Sequence, residues 1–254
     1  MIYLVYFVIV FVILVFIYFE WQKSVVFHPR YHRDMLLYDE SYTFLTLKND
    51  GITLEGCVYE PQNPKGSILY FGGRGQDSVG LLPKLAEQLP SLRIVTFNYR
   101  GYGKSEGKPT EKVLLDDAVL IAQKIQNRYE DIIVVGYSLG GAIASYATLH
   151  VKVKSLVLIG AFCSLDSLVE QKHKIKLPFL RYHFFTCKYL KNIEIPVSLF
   201  LSKDDSVVPY NEAKKLKDAI SHLKIYKEFE GLNHVELLWE KEVITLIKDI
   251  VQNY

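Results

Sequence analysis

The sequence predicts an α/β domain built on a mostly parallel eight-stranded sheet and preceded by a membrane-spanning helix. Three observations carry this reading. Residues 1–19 are apolar or aromatic throughout, eight short apolar or alternating runs follow, and amphipathic stretches of helical period separate most of those runs.

The 254 residues are half hydrophobic and carry a formal charge of +2, the size and balance of one core with a small appendage. A near-neutral chain has no basic face for phosphate backbones, so nucleic acid is set aside as a partner. Residues 1–19 would span roughly 28 Å as a helix, close to the hydrocarbon thickness of a bilayer. Tyr3, Tyr6, Tyr18 and Trp21 flank this stretch as amphipathic rings. It has no basic leader and no small-residue cleavage site, so it reads as a retained single-pass anchor and not a signal peptide. Lacking a polar face, it is also no ordinary core helix. Lys23, Arg30 and Arg33 follow it, which by the positive-inside tendency places the main domain in the cytoplasm.

A linker over 20–41 leads to alternating runs at 42–48 and 52–59 around Asn49-Asp50-Gly51, a hairpin turn that accepts positive φ. Runs at 67–71, 94–97, 132–135, 156–159 and 197–201 lack a polar face, as strands buried on both sides do, and a last strand occupies 225–229. Helices are expected at 81–89, 112–128, 139–149 and 211–220, with a last one over 235–251. Residues 42–254 therefore form one domain, and ligands of such a sheet bind beyond the carboxyl ends of its strands.

Cys57, Cys163 and Cys187 are too few and too scattered for a disulfide framework and lack the spacing of a zinc site. Cys57 and Cys163 are expected as buried, reduced thiols. No metal or cofactor is implied.

The chemistry concentrates after the strands. Gly136-Tyr137-Ser138-Leu139-Gly140-Gly141 follows one strand and opens an Ala-containing helix, the context in which G-x-S-x-G means a nucleophile elbow. A serine hydroxyl needs an adjacent base, and Gly231-Leu232-Asn233-His234 offers one between the last strand and the last helix. His28, His32, His150, His173, His183 and His222 lie in the linker, at helix ends or in an insert, where histidines are usually incidental. The base needs a carboxylate to hold its tautomer, and Asp204 or Asp205, directly after the strand at 197–201, supplies it. Gly72-Gly73-Arg74-Gly75 follows the strand at 67–71 without the Gly-Lys-Ser/Thr ending of a phosphate loop. Its role would be to bring the Arg74 N–H, beside that of Leu139, to a developing oxyanion.

With the long loop Asn98-Tyr99-Arg100-Gly101-Tyr102-Gly103-Lys104-Ser105-Glu106-Gly107, these motifs resemble the α/β-hydrolase superfamily over residues 42–254. The branch resembled is that of membrane-anchored, small-cap serine hydrolases, the alpha/beta hydrolase domain-containing proteins and their bacterial homologues. The resemblance implies the α/β-hydrolase fold and a triad of Ser138, Asp205 and His234. Asp205 is chosen over Asp204 because it stands four before Pro209, leaving Asp204 a solvated turn residue. The branch usually has His-Gly-Asn where this chain has Gly72-Gly73-Arg74, and the Arg74 side chain is expected to face solvent. The loop at 98–107 has a structural task. Some members of the branch hold their catalytic domain in the lumen, opposite to the charge count here.

A short cap is expected at about 163–192, leaving an open site. Lys172, His173, Lys174 and Lys176 precede Phe179, Tyr182, Phe184 and Phe185, so the cap either touches a membrane surface or covers the site with its aromatics. The implied reaction is hydrolysis of acyl esters or thioesters of small-molecule or lipid substrates through an acyl-enzyme on Ser138. Aminopeptidase action, acyl transfer and a catalytically silent membrane scaffold are the alternatives, because fold does not fix function.

Overall fold

No glycine or proline occurs before Pro29, so nothing ends the N-terminal helix where its apolar run stops. In the computed structural model, which describes residues 2–174 and 176–253, α1 spans Ile2–Val26. Met1, Ile175, Tyr254 and the side chain of His173 lie outside the described residues. The first turns of α1 are exposed and apolar on every side, and the helix is long and apolar enough to cross a membrane. Its end differs from expectation: the helix continues seven residues past Phe19 and buries Gln22 and Val26 against the rest of the chain.

The eight strands are β1 (Tyr42–Asn49), β2 (Ile52–Tyr59), β3 (Ser67–Phe71), β4 (Arg93–Phe97), β5 (Ile132–Tyr137), β6 (Ser155–Ile159), β7 (Val197–Ser202) and β8 (Leu223–Phe229). They form one sheet in the order β1-β2-β4-β3-β5-β6-β7-β8. The hairpin turns at Asp50 and Gly51, both at positive φ, and pairs antiparallel with β4; the other pairings are parallel. Every residue of β3, β5, β6 and β7 is buried, as their unbroken apolar character demands.

Helices cover both faces. On one side α3 (Glu111–Gln126) and α4 (Leu139–Thr148) set Ile121, Ala122 and Ile143 against Val134 and Leu156. On the other, α2 (Ser78–Gln88) and the C-terminal helices set Leu82, Leu85, Ile244 and Ile247 against Ile68, Ile94 and Ile133. Each such side chain contributes roughly 1.5–3 kcal/mol of burial. The expected last helix is two, α8 (His234–Trp239) and α9 (Lys241–Gln252), numbered after the cap helices α5 (Leu165–His173) and α6 (Thr186–Leu190) and after α7 (Tyr210–Ala219). The break falls at Glu240, whose extended backbone (φ −61°, ψ 130°) lets its carboxylate cap Glu242 N.

One further expectation is corrected, and the linker and the cap gain definite structure. Cys163 and Cys187 are joined in a disulfide, Cα atoms 4.8 Å apart, and only Cys57 of the three is a free, buried thiol. Residues 27–34 are no loose linker, since His32 N donates to Asp77 Oδ2 at 2.9 Å and Arg33 pairs with Glu55 at 2.6 Å. In the cap, Phe184 and Tyr182 are buried around Phe27, with ring centroids 6.2 and 4.9 Å away, while Phe179 is exposed. The cap is tied at its root by the buried Glu212 of α7. That carboxylate accepts from Cys163 N, Ser164 N, Ser167 Oγ, Gln171 Nε2 and Lys215 Nζ.

Candidate active site

The turn between β5 and α4 is too tight for side chains. A Cβ on Gly136 would stand 2.5 Å from Gly140 O and 2.7 Å from the Ala144 Cβ. Between these glycines Ser138 adopts φ 53° and ψ −119°, a strained conformation for a residue with a Cβ. The strain is held by Ser138 N donating to Ile159 O at 2.9 Å and by Gly141 N returning to Ser138 O at 2.9 Å.

His234 begins α8 behind a capping box. The Asn233 side chain accepts from Val235 N and Glu236 N, and Asn233 N donates to the Glu236 carboxylate. Its backbone carbonyl accepts from Tyr137 Oη at 3.0 Å, which ties the histidine loop to the elbow itself. The imidazole Nδ1 lies 2.6 Å from Asp205 Oδ2, and both side chains are buried. Asp205 Oδ1 accepts from Val207 N and Val208 N at 2.8 Å each, so its two oxygens divide between loop and ring. An acceptor-only carboxylate at Nδ1 puts the proton on that nitrogen and leaves Nε2 with a free lone pair. Asp204 is exposed as expected but not idle, for its Oδ2 accepts from Gly231 N at 2.6 Å. One aspartate holds the ring and its neighbour holds the backbone of the same loop.

Ser138 and His234 both lie against the end of β6. Ser138 is bonded to Ile159, and a Cβ on the next residue, Gly160 (φ 55°), would lie 3.2 Å from His234 Cε1. Among the described residues the Ser138 hydroxyl has no hydrogen-bond partner. It opens onto a cavity of about 300 Å³.

The glycine loop after β3 packs on the same elbow. A Cβ on Gly73 would stand 3.4 Å from Ser138 Cβ, and one on Gly140 would meet Gly72 O at 2.6 Å and come still nearer Phe71 O. Gly73 N donates to Gln76 Oε1 at 2.8 Å and so is already engaged, while Arg74 lines the same cavity as Ser138. The 98–107 loop holds this segment in place: Tyr99 Oη donates to Gly72 O at 2.8 Å, Tyr102 Oη to Arg74 O at 2.7 Å, and Asn98 Nδ2 to Asp77 Oδ1 at 2.7 Å. Arg100 stays out of the site, paired with buried Asp117 at 2.7 Å. The Arg74 side chain is exposed, and its Nη1 also donates to Val25 O at 2.7 Å, capping the end of α1.

The cavity has walls the sequence did not announce. Trp21, Gln22, Val25 and Val26 of α1 form one side, and Leu165, Leu168 and Val169 of α5 with Leu177 and Leu180 form another. Phe162, Val207 and Val208 lie beside Ser138. The one textual signal for the α1 contribution is Gln22, a polar residue of a kind that a helix end in water would expose and that here is 3% exposed.

Residues 66–182 match the family model for the alpha/beta hydrolase fold. The lysophosphatidylserine lipase ABHD12 of Danio rerio is 28% identical over 185 residues, 62% of this chain and 48% of that protein, so the chain spans about half of that relative's length. A putative alpha/beta hydrolase of Acanthamoeba polyphaga mimivirus is 24% identical over 239 residues, 89% of each chain. The Pyrococcus furiosus esterase Pf2001 superposes with a TM-score of 0.69 at 18% identity, covering 89% of this chain and 96% of that one, a likeness of fold. Sheet order, elbow and family match together show that this chain has the α/β-hydrolase fold.

Proposed function

We propose that the chain is a membrane-anchored serine hydrolase that cleaves carboxylic ester or thioester bonds of acyl substrates, with Ser138, Asp205 and His234 as its triad. The observation that carries this is the 2.6 Å bond from His234 Nδ1 to Asp205, on a ring that shares the Ile159-Gly160 end of β6 with the strained Ser138. His234 Nε2 takes the Ser138 proton as Oγ attacks the acyl carbonyl, then returns it to the departing alcohol or thiol. Water, deprotonated by the same nitrogen, attacks the acyl-enzyme; the proton passes back to Ser138 as the acid leaves. The Leu139 and Arg74 N–H groups would hold the oxyanion, and the N-terminal end of α4 adds its dipole. Esterase and lipase relatives favour acyl esters over peptide bonds. Labelling by a fluorophosphonate probe tests the reading: wild type should label and Ser138→Ala should not, and equal labelling of both would refute it.

α1 is the candidate anchor, by its length and composition. For its orientation the cystine opposes the charge count. Lys23, Arg30 and Arg33 favour a cytoplasmic domain, but Arg33 is neutralised by Glu55 and Asp77, and a cystine persists in oxidising compartments. We infer that the domain faces the oxidising side. Protease protection in sealed vesicles decides it, and digestion from the cytoplasmic face would reverse the assignment.

A further inference from the structure

The end of α1 is built into the cavity beside Ser138, and this carries the argument past anchoring. Trp21, Val25 and Val26 face Leu168 and Leu180 across it. Two bonds through Gln22 weld this helix to the cap: its Nε2 donates to Phe179 O at 3.2 Å, and its Oε1 accepts from Arg181 N at 3.0 Å. Tyr18 Oη adds a third to Pro178 O at 2.6 Å. The wall is therefore a fixed part of the domain and no passing contact of a tether.

Depth follows from the same residues. Tyr18 and Trp21 are amphipathic rings stacked 6.0 Å apart at the end of an exposed apolar helix, the composition that settles at headgroup level. From Trp21 to Val26 the helix rises only about 7.5 Å. The mouth of the cavity thus opens at the membrane surface, with exposed Phe179 beside it. A volume of about 300 Å³ stands at the small end of ligand cavities, room for one chain and not two.

We propose that the last two turns of α1 form one wall of an acyl-chain site, and that this site takes a single chain drawn directly from the leaflet in which α1 ends. The proposal rests on the serine hydrolase reading and names its substrate class, an ester with one long acyl chain resident in a bilayer. Each methylene the cavity covers raises affinity by up to about fourfold.

The test uses the full chain reconstituted in phosphatidylcholine vesicles with methylumbelliferyl esters from butyryl to palmitoyl. Val25 is half-exposed, so Val25→Trp should fold while filling the chain site. It should lower the ratio of kcat/KM for the palmitoyl ester to that for the butyryl ester about tenfold or more. Palmitoyl ester in the enzyme's own vesicles should be cleaved faster than the same ester held in separate vesicles. Equal losses on both esters, or no loss on either, would overturn the wall assignment. Equal rates from the two vesicle populations would overturn supply from the bilayer. Fluorophosphonate labelling of Ser138, read in parallel, separates these results from failure of the hydrolase reading, which would show as no labelling of wild type.

Discussion

Replacing Gly140 by alanine sets two known effects against each other. Alanine favours a helix interior over glycine by about 1 kcal/mol, so α4 alone would gain. The new Cβ, however, would stand 2.6 Å from Gly72 O where ordinary contact begins at 3.4 Å, so the loop must retreat by about 0.8 Å there and further at Phe71. Gly72 O is already held by Tyr99 Oη, and a retreat stretches that bond. Overpacking of this kind costs about 1–3 kcal/mol, which leaves at most about 2 kcal/mol of net destabilisation once the helical gain is counted. The kinetic cost is larger. A misplacement near 1 Å of a positioning group costs about a hundredfold in rate, and the loop displaced here carries the Arg74 amide. The assay is the rate of fluorophosphonate labelling of Ser138 at a temperature where circular dichroism shows the variant fully folded. A Gly140→Ala protein that labels at the wild-type rate would refute the claim that the glycine loop is seated by α4.

Asp205→Asn should lower kcat by about 10⁴ with KM nearly unchanged, because the amide no longer fixes the histidine tautomer; steady-state ester hydrolysis reads this, and a loss under tenfold would remove Asp205 from the triad. Unreduced native protein should bind no maleimide mass tag and reduced protein two, since the buried Cys57 thiol is pushed up to about 12 by burial. Losing the link should cost at most about 3.5 kcal/mol, given its separation of 24 residues, and thermal melts of Cys187→Ser test that. Burial pushes the Glu55 carboxyl up, but Arg33, Lys104 N and Asn98 outweigh it and hold the group below its ordinary 4.5. A depressed carboxylate stabilises the fold above its unfolded pKa and stops doing so as pH falls through the folded value. The melting gap between wild type and Glu55→Gln should therefore be widest at neutral pH and close in acid, and a gap that widens on acidification would contradict the pairing.

The elbow, the histidine loop and the paired aspartates could be read from the sequence because each is local. A strand, a turn with obligatory glycines and a helix start lie within ten residues of one another, and hydrophobic period alone separates them. Strand number and the buried core follow from the same periodicity. What could not be read was long-range. The Cys163–Cys187 link depends on two ends of an insert folding back together, which spacing does not encode. The bond from exposed Arg74 to the Val25 carbonyl joins residues 49 apart, and Val25 lies in a stretch read as linker. The anchor's end was placed at Phe19 where apolarity stops, yet backbone propensity carried the helix to Val26 and tertiary packing took over its last turns. Phe184 looked as suited to a membrane as Phe179, and only Phe27 packing against it decides that one is core and the other surface.

Glu212 and the cystine both grip the insert at its root, and among the described residues neither bonds to those between α5 and Tyr182 that line the mouth. Substitutions in that stretch can reshape what enters without loosening the frame that carries the nucleophile. The geometry divides the molecule into a part free to diversify and a part that must stay still, with the dividing line drawn by one carboxylate and one sulfur bridge.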